Sequence, residues 1–387
     1  MLISLVSFLV VFSLMVFVHE FGHFWVSKRA GVHVREFGFG FPFGLDKPPS
    51  ERPLTWKVGE DKGGTVYTVN LIPFGGFVNL GENDLADPKS LANSPKRIRL
   101  AALLAGPAMN LLLAVVIFAL AALFGLPEPV YGVGVGQVVE GSPAMRAGLE
   151  PGDIVLQVGE LSFEPPTTDG PEADVRVTRM VEYVAPRAGQ ETLVVVQRGL
   201  GKDAPRLEYT VVPEADENGD GKIGVAIQAT AVRVNLESLG PFKAVVYGLR
   251  EVGSTIAMTA MVPVWLLKGL LPLGAARTVG PVGIAKMTGN AVQQSLDVGW
   301  AYPILHLIGV LNVAIGITNL LPLPAFDGGR IVFIVLEAIR GKPISPEKEG
   351  LVHGVGLMIL LLLMVVITVQ DIFVPLPQGF NWADYLY

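Results

Sequence analysis

The residues with the clearest chemical potential in this chain are His19-Glu20-Phe21-Gly22-His23, which have the spacing HExxH. On a helix, residues four positions apart share a face, so His19 and His23 can bind one metal ion together. Glu20 is then placed to take a proton from a metal-activated water. A charge-free apolar stretch, residues 2–18, comes directly before the motif. This combination predicts metal-dependent hydrolysis inside a membrane.

A third metal ligand is needed, and Asp327 is the best candidate. The chain contains no cysteine, so the ligand must be histidine, aspartate or glutamate. Asp327 follows Pro322 and Pro324, which must interrupt a helix and free backbone groups. An acidic side chain at the edge of a membrane span is a functional candidate by default. The alternative is that Asp327 only caps the span at the cytoplasmic surface.

The composition is that of a multi-pass membrane protein. Of the 387 residues, 51% are hydrophobic and 17% are charged, against about 25% charged in soluble proteins. The net charge of −6 gives no indication of nucleic-acid binding. Four apolar runs are long enough to cross a bilayer: residues 2–25, 100–127, 298–326 and 351–370. The first run could be a signal peptide, but it lacks a basic start and a cleavage site before the motif.

Basic residues beside the runs predict their orientation. Lys and Arg are concentrated at residues 28–35, 96–99 and 330–348, which places those loops in the cytoplasm. Both termini and residues 128–297 then lie outside the cell. His19 and Asp327 both lie near the inner ends of spans that run inward, so they share one depth near the cytoplasmic side.

One short apolar segment, residues 252–267, complicates the count of spans. It is flanked by Arg250, Glu251 and Lys268 and is diluted by glycine, serine and threonine. We expect an amphipathic helix on the outer membrane surface. A fifth span is the alternative, and it would place Asp327 on the opposite face of the membrane.

The remaining histidines are weaker ligand candidates. His306 precedes Asp327 by 21 residues, roughly 30 Å along a helix, and belongs near the outer face. His33 lies in a polar loop, where we expect it to be solvated. His353 has the right depth but no supporting pattern.

Residues 130–213 have the alternating pattern of a β-rich domain. Residues 134–139, 154–158 and 192–197 read as strands. Between the first two, Gly141-Ser142-Pro143-Ala144 predicts a short helix and residues 148–154 a turn. The order of these elements resembles a PDZ domain, a fold that binds extended peptides by strand addition. Another small β-rich domain is the alternative.

Two further segments carry local patterns. Residues 65–82 alternate and then contain Gly75 and Gly76, which predicts a β-hairpin that dips into the membrane. Asp216-Glu217-Asn218-Gly219-Asp220-Gly221 is similar to the start of an EF-hand, but position twelve is Ile227, where a glutamate is required. A tight turn is favoured there over a calcium site.

Taken together, the motifs make the chain similar to the site-2 protease family of intramembrane zinc metalloproteases, in its bacterial PDZ-containing branch. The matching segments cover nearly the whole chain: HEFGH at 19–23, PFGGFVNLGE at 73–82, AGPAMN at 105–110, the PDZ-like pattern, GPVGI at 280–284 and NLLPLPAFDGG at 319–329. Phe326 stands where leucine is usual in the family. The chain has room for one PDZ domain, whereas better-known members have two.

The resemblance implies Zn²⁺ held by His19, His23 and Asp327, with Glu20 as general base and then as proton donor to the leaving amine. Asn319 would hold the substrate or the developing oxyanion. In the segment 65–82, Gly75 and Gly76 would help align an unwound substrate. Gly106 and Asn110 would let the second span pack closely, and Asn110 is also a candidate substrate contact. Without the family, Gly106 and Asn110 are simply helix-packing residues.

The expected architecture is an α-helical multi-pass membrane protein with four spans, a membrane-associated β-hairpin and one extracytoplasmic α+β PDZ domain. The predicted domains are a first membrane half at 1–127, the PDZ domain at 128–214, a linker with an amphipathic helix at 215–297, and a second membrane half at 298–387. The predicted location is the bacterial inner membrane.

The predicted function is regulated hydrolysis of peptide bonds within single-span membrane proteins, such as anti-sigma factors or leftover signal peptides. The PDZ domain would act as a size filter or bind a peptide in its groove. The main alternative is a catalytically silent membrane adaptor that presents the PDZ domain. An intact Glu20 argues against that adaptor, and clustering of the ligands at one depth argues against a zinc transporter.

Overall fold

The structure of the protein, a computed structural model, describes residues 2–44, 47–82, 84–200, 204–270, 278–342, 344–374 and 382. The chain separates into two compact units. The first contains Met1–Phe124 and Leu239–Gln378, and the second contains Gly125–Ser238. The C-terminal tail, which the sequence predicts to lie outside the cell, falls almost entirely outside the described residues.

Within the described residues, the α-helices in chain order are α1 (Leu2–Arg29), α2 (Lys96–Phe124), α3 (Pro143–Ala147), α4 (Gly170–Val184), α5 (Pro241–Leu267), α6 (Pro281–Val298), α7 (Tyr302–Leu320), α8 (Asp327–Arg340) and α9 (Pro346–Phe373). Short 3₁₀ helices cover Pro49–Glu51 and Ala185–Arg187.

The strands in chain order are β1 (Glu36–Phe41), β2 (Thr55–Glu60), β3 (Val66–Asn70), β4 (Ile72–Asn79), β5 (Leu126–Val138), β6 (Asp153–Val158), β7 (Leu161–Ser162), β8 (Thr192–Arg198), β9 (Arg206–Val211), β10 (Glu214–Ala215), β11 (Gly221–Lys222) and β12 (Val225–Glu237).

Four of the described helices, α1, α2, α7 and α9, are long and apolar enough to cross a membrane. They coincide with the four apolar runs of the sequence. The prolines end the third run as predicted: α7 stops at Leu320, and α8 begins at Asp327 after an irregular loop. The protein is therefore membrane-embedded, with β-sheet structure in addition to its apolar helices.

The β-sheet of the first unit shows that the predicted hairpin at 65–82 is wrong. Its two segments form β3 and β4, but the strand order is β2-β3-β1-β4, so β1 lies between them. Only Leu71 separates β3 from β4, whereas a hairpin normally has a turn of at least two residues. The chain crosses the end of β1 instead. Gly40 leaves room for this crossing, because a Cβ there would be 2.6 Å from the carbonyl oxygen of Ile72.

A buried ion pair holds this sheet together at β1. The side chains of Glu36 and Arg52 are each 4% exposed, and Nη1 of Arg52 lies 2.8 Å from Oε2 of Glu36. The hydroxyl of Thr68 in β3 also donates to Glu36, at 2.9 Å. Because Glu36 and Arg52 bind each other and Glu36 also accepts from Thr68, both buried charges have bonded partners.

The helix α5 packs against the spans. Gly248 allows a close approach to α2, because a Cβ there would be 2.4 Å from the carbonyl oxygen of Val115. One turn later, Val252 packs in a cluster with residues of α2 and α7. The placement of residues 252–267 on the outer membrane surface stays a prediction, but this helix is joined to the spans along its first half.

The second unit has the predicted strands and short helix. Its larger sheet has the strand order β12-β5-β6-β8-β9, with β7 beside β6. Ser142 caps α3 by accepting a hydrogen bond from the backbone N–H of Met145, and Gly148 ends that helix in the left-handed conformation. The EF-hand-like residues form a tight turn between β10 and β11. In it, Asp216 accepts hydrogen bonds from the backbone of Asn218 and Asp220.

Candidate metal centre and active site

The two histidines of the HExxH motif lie on one face of α1, as their spacing predicts. Their Nε2 atoms are 3.1 Å apart, and both side chains are buried. Nδ1 of His23 donates a hydrogen bond to the carbonyl oxygen of Ala102 in α2, at 2.7 Å. This bond leaves the Nε2 lone pair of His23 free to bind a metal. Nδ1 of His19 is buried without a hydrogen-bond partner among the described residues.

Asp327 reaches the same point from the far end of the sequence. Its Oδ2 atom lies 3.1 Å from Nε2 of His19 and 3.4 Å from Nε2 of His23. The residue is the first of α8, directly after the loop that interrupts the helical path from α7. Two ion pairs fasten α8 to the first half of the chain: Arg330 with Glu82, and Glu337 with Arg99.

The three side chains fit a zinc site. Ligand atoms about 2.05 Å from a zinc ion in tetrahedral arrangement are about 3.3 Å from one another. The pairs formed by His19, His23 and Asp327 are separated by 3.1–3.4 Å, and the three residues form a group able to hold a metal ion. Two neutral imidazoles and a carboxylate are also a donor set that zinc prefers.

Gly106 of α2 provides the space for the two imidazole rings. A Cβ at this position would be 2.3 Å from Nε2 of His23 and 2.8 Å from Cε1 of His19. Gly22 of α1 allows the same close approach of α1 and α2, because a Cβ there would be 2.4 Å from the carbonyl oxygen of Ala105. Glycine at both positions lets α1 and α2 approach closely enough for α2 to form one wall of the site.

Glu20 lies on α1 between the two histidines in sequence and is partly exposed. The carboxylate of Glu20 lies near the backbone amide of Val78 in β4. It also lies near the carboxylates of Asp327 and Glu82. The candidate general base therefore lies beside the end of β4.

The other end of β4 is pressed against α1. A Cβ on Gly75 would be 2.5 Å from Cγ1 of Val16, and one on Gly76 would be 3.1 Å from the ring of Phe17. The hydroxyl of Ser13 donates to the carbonyl oxygen of Pro73 at 2.5 Å and accepts from the N–H of Gly75 at 3.2 Å. These glycines thus bring the strand close to α1.

The two asparagines suggested as substrate contacts differ in accessibility. Asn319 is partly exposed in the last turn of α7, and its Nδ2 donates to the carbonyl oxygen of Ile315 at 3.1 Å. Asn110 is fully buried in α2, and its amide oxygen and nitrogen have no hydrogen-bond partner among the described residues. Its burial agrees with the helix-packing interpretation that the sequence left open.

The other histidines lie outside the metal group. His306 is near the carboxylate of Glu251 at 3.6 Å, and His33 binds Asp87 at 2.8 Å rather than being simply solvated. That hydrogen bond from His33 holds the pKa of Asp87 below its usual range. His353 contacts the loop that carries Asp327.

Sequence reasoning missed some of these residues. Gly106 was recognised as a packing residue, but nothing in the sequence showed that it faces the ligands. The only local signal was its position directly before a proline inside an apolar span. The pairing of Glu82 with Arg330 had no signal, because 248 residues separate them.

Comparisons with known proteins identify the family. A family model described as "Peptidase family M50" matches residues 7–363. A putative zinc metalloprotease of Agrobacterium fabrum is 32% identical, over 95% of this chain and 95% of its own length. A putative zinc metalloprotease of Clostridium perfringens is 33% identical, over 95% and 98%. The zinc metalloprotease RasP of Oceanobacillus iheyensis is 28% identical, also over 95% and 98%.

These matches cover nearly the whole chain, including the HExxH motif and the Asp327 segment. The resemblance to zinc metalloproteases of the site-2 type is thereby confirmed, and the chain belongs to peptidase family M50.

Proposed function

We propose that this protein is an intramembrane zinc endopeptidase that hydrolyses peptide bonds within transmembrane segments of single-span membrane proteins. One observation carries the proposal: His19, His23 and Asp327 bring three ligand atoms within 4.8 Å of one another beside helices apolar enough to span a membrane. A soluble hydrolase has no need to build its site on such helices. Anti-sigma factors and signal-peptide remnants are the substrate classes that suit this activity.

The proposed chemistry assigns a role to each side chain. A zinc ion held by His19, His23 and Asp327 would supply Lewis acidity at the scissile carbonyl. Glu20 removes a proton from the attacking water and later delivers it to the nitrogen of the leaving amine. Asn319, at the partly exposed end of α7, is positioned to donate to the oxyanion or to hold the substrate backbone.

We assign substrate alignment to β4. A transmembrane helix must unwind before its peptide bonds can be cut, and in lipid the freed backbone groups need new partners. Within the described residues, β4 is the last strand of its sheet, and Val78 near its end lies beside Glu20. An unwound segment that adds to this edge would satisfy its backbone and lie next to the general base.

We further propose that the second unit is a PDZ domain outside the cell. Its strand and helix order agrees with that fold, and β12 is at the edge of its sheet. A groove of about 370 Å³ lies between α4 and the start of β12, with Met180, Val184 and Ile227 among its lining residues. An extended peptide with an apolar side chain would suit this groove. The alternative role is that of a size filter for substrates already trimmed outside.

The basic loops support an orientation in the bacterial inner membrane with both termini outside and the metal centre near the cytoplasm. The domain division at 1–127, 128–214, 215–297 and 298–387 belongs to the same proposal. The compact unit Gly125–Ser238 supports a second domain that extends beyond residue 214 to include β12.

The test compares wild type with Glu20→Gln against a panel of tagged single-span proteins expressed in the same cells. We expect cleavage within the span by the wild type only, because glutamine keeps the shape of glutamate but cannot act as a base. Glu60→Gln, at an exposed glutamate of β2, is the matched control and should cleave normally. Equal cleavage by wild type and Glu20→Gln would remove the role of Glu20, and a zinc-loaded wild type that cleaves nothing would favour the silent adaptor.

The ligand assignment is tested separately by metal analysis of purified protein. Asp327→Ala removes one of three ligands and should lower the bound zinc well below one ion per chain. Glu20→Gln should keep its zinc, because Glu20 is not a ligand in this scheme. Unchanged zinc in Asp327→Ala would refute the assignment of Asp327.

A further inference from the structure

The loop that carries Asp327 has an unusual backbone conformation. Residues 321–326 connect α7 to α8, and within them Ala325 has φ of +75°. This left-handed region disfavours residues with a Cβ, and an alanine there must be held by its surroundings. Ala325 lies two residues before Asp327, so a change at its backbone would move the carboxylate.

The contact that holds this loop comes from α9. Nδ1 of His353 accepts a hydrogen bond from the backbone N–H of Ala325, at 2.9 Å. Accepting at Nδ1 places the ring proton of a neutral imidazole on Nε2. That Nε2 atom is buried and has no partner among the described residues. Nothing else in the described structure therefore engages the polar atoms of this ring.

The fit between α9 and the loop is tight on either side of the hydrogen bond. A Cβ on Gly356, one turn after His353, would be 2.1 Å from Cβ of Pro324. A Cβ on Gly329, at the start of α8, would be 3.3 Å from Cε1 of His353. One face of α9 is thus shaped to the loop and to the first turn of α8.

We propose that His353 is a positioning residue for the metal centre: its Nδ1 holds the Ala325 amide and so keeps Asp327 oriented towards His19 and His23. The inference rests on the proposed zinc site. His353 does not bind the metal in this scheme, since its Nδ1 is engaged by Ala325 and the described metal group consists of the other three residues. Side chains that orient a ligand in this way typically change metal affinity 10–100-fold when they are removed.

The experiment measures zinc affinity of the full-length protein in detergent by competition with a chelator. His353→Ala should bind zinc about tenfold more weakly than wild type, because the loop loses its only described anchor at Ala325. His353→Asn should remain close to wild type, because asparagine carries its oxygen on Cγ, where histidine carries Nδ1. His353→Gln places its amide one bond further out and should resemble His353→Ala. Val355→Ala, on an exposed part of α9, is the control.

A second substitution distinguishes positioning of the loop from any direct role of the imidazole. Glycine adopts a φ near +75° readily. Adding Ala325→Gly to His353→Ala should therefore restore most of the zinc affinity that His353→Ala loses. Should His353→Ala fail to fold, the pair His353→Asn and His353→Gln decides the question alone.

The outcomes separate this inference from the proposed function. Wild-type affinity in both His353→Ala and His353→Gln, or equal loss in the asparagine and glutamine variants, would overturn the role of His353 while leaving the zinc site intact. A failure of Ala325→Gly to restore affinity would also overturn it. A wild type that binds no zinc, or an Asp327→Ala variant that binds it normally, would instead refute the proposed zinc site.

Discussion

Gly106→Ala is the substitution whose effect on the metal centre can be worked most directly from the structure. The new methyl group would be 2.3 Å from Nε2 of His23, whereas ordinary van der Waals contact begins at 3.4 Å. The imidazole must therefore retreat by about 1.1 Å. Metal–ligand distances tolerate only about 0.2 Å of change. The shift required is several times larger than the site can absorb.

Neither ring has an easy way to retreat. The hydrogen bond from His23 to Ala102 at 2.7 Å fixes that ring to the same helix that carries the new methyl group. Cε1 of His19 would also be 2.8 Å from it. We therefore expect zinc affinity to fall at least 100-fold, or about 2.8 kcal/mol, and proteolysis to fall with it.

Measuring zinc affinity and helix stability together separates a clash with the imidazoles from a general loss of helix stability. Alanine is about 1 kcal/mol more favourable than glycine inside a helix, so without the clash Gly106→Ala would stabilise α2. Gly253→Ala is the matched control, because a Cβ placed there would have no described atom within 4 Å apart from its chain neighbours and the backbone of its own helix. The assay is chelator competition for zinc together with thermal unfolding of the metal-free protein. Zinc affinity within threefold of wild type in Gly106→Ala would refute this account of the site.

Three further experiments test other parts of the structure. Gly75→Ala should lower cleavage of a tagged substrate about tenfold while zinc content stays normal, since a Cβ there lies 2.5 Å from an α1 side chain and displaces β4. Arg52→Met should lower the free energy of unfolding by about 3–5 kcal/mol, because it leaves the buried Glu36 carboxylate unpaired; thermal unfolding measures this. Because the chain has no cysteine, single cysteines report accessibility: Phe242→Cys should react with a membrane-impermeant maleimide and Val252→Cys should not, since Phe242 is exposed and Val252 is buried against α2 and α7.

Local sequence patterns were sufficient for the four candidate spans, and they picked out His19, His23 and Asp327 as candidate metal ligands, which the structure places together. The apolar runs predicted the candidate spans because hydropathy over about 20 residues depends on no distant contact. The prolines at 322 and 324 marked the end of α7 for an equally local reason. The proximity of Asp327 to His19 was predicted from their depth in the membrane. Residues near the same ends of two spans that run in the same direction lie at the same level of the bilayer.

The sheet of the first unit could not be predicted in the same way. β1 alternates glycine with phenylalanine, and glycine weakens the strand signal of the segment. Its insertion between β3 and β4 depends on pairing across more than 25 residues of chain, as in the partner residues Glu36 and Val66. Pairing each strand with its neighbour in the sequence predicts a hairpin of β3 and β4. The observed strand order shows that this prediction was wrong.

Hydrogen bonds between side chains and main-chain atoms join the elements around the site. His23 on α1 donates to the Ala102 carbonyl of α2, and Ser13 on α1 donates to the Pro73 carbonyl of β4. His353 on α9 accepts from the Ala325 amide before α8. In an apolar setting each polar group needs a partner, so these bonds stabilise the packing of the elements and fix the site at the same time. The geometry of the candidate metal centre therefore depends on how the elements pack, and we expect glycines remote from the HExxH motif in sequence, such as Gly106, to affect metal binding.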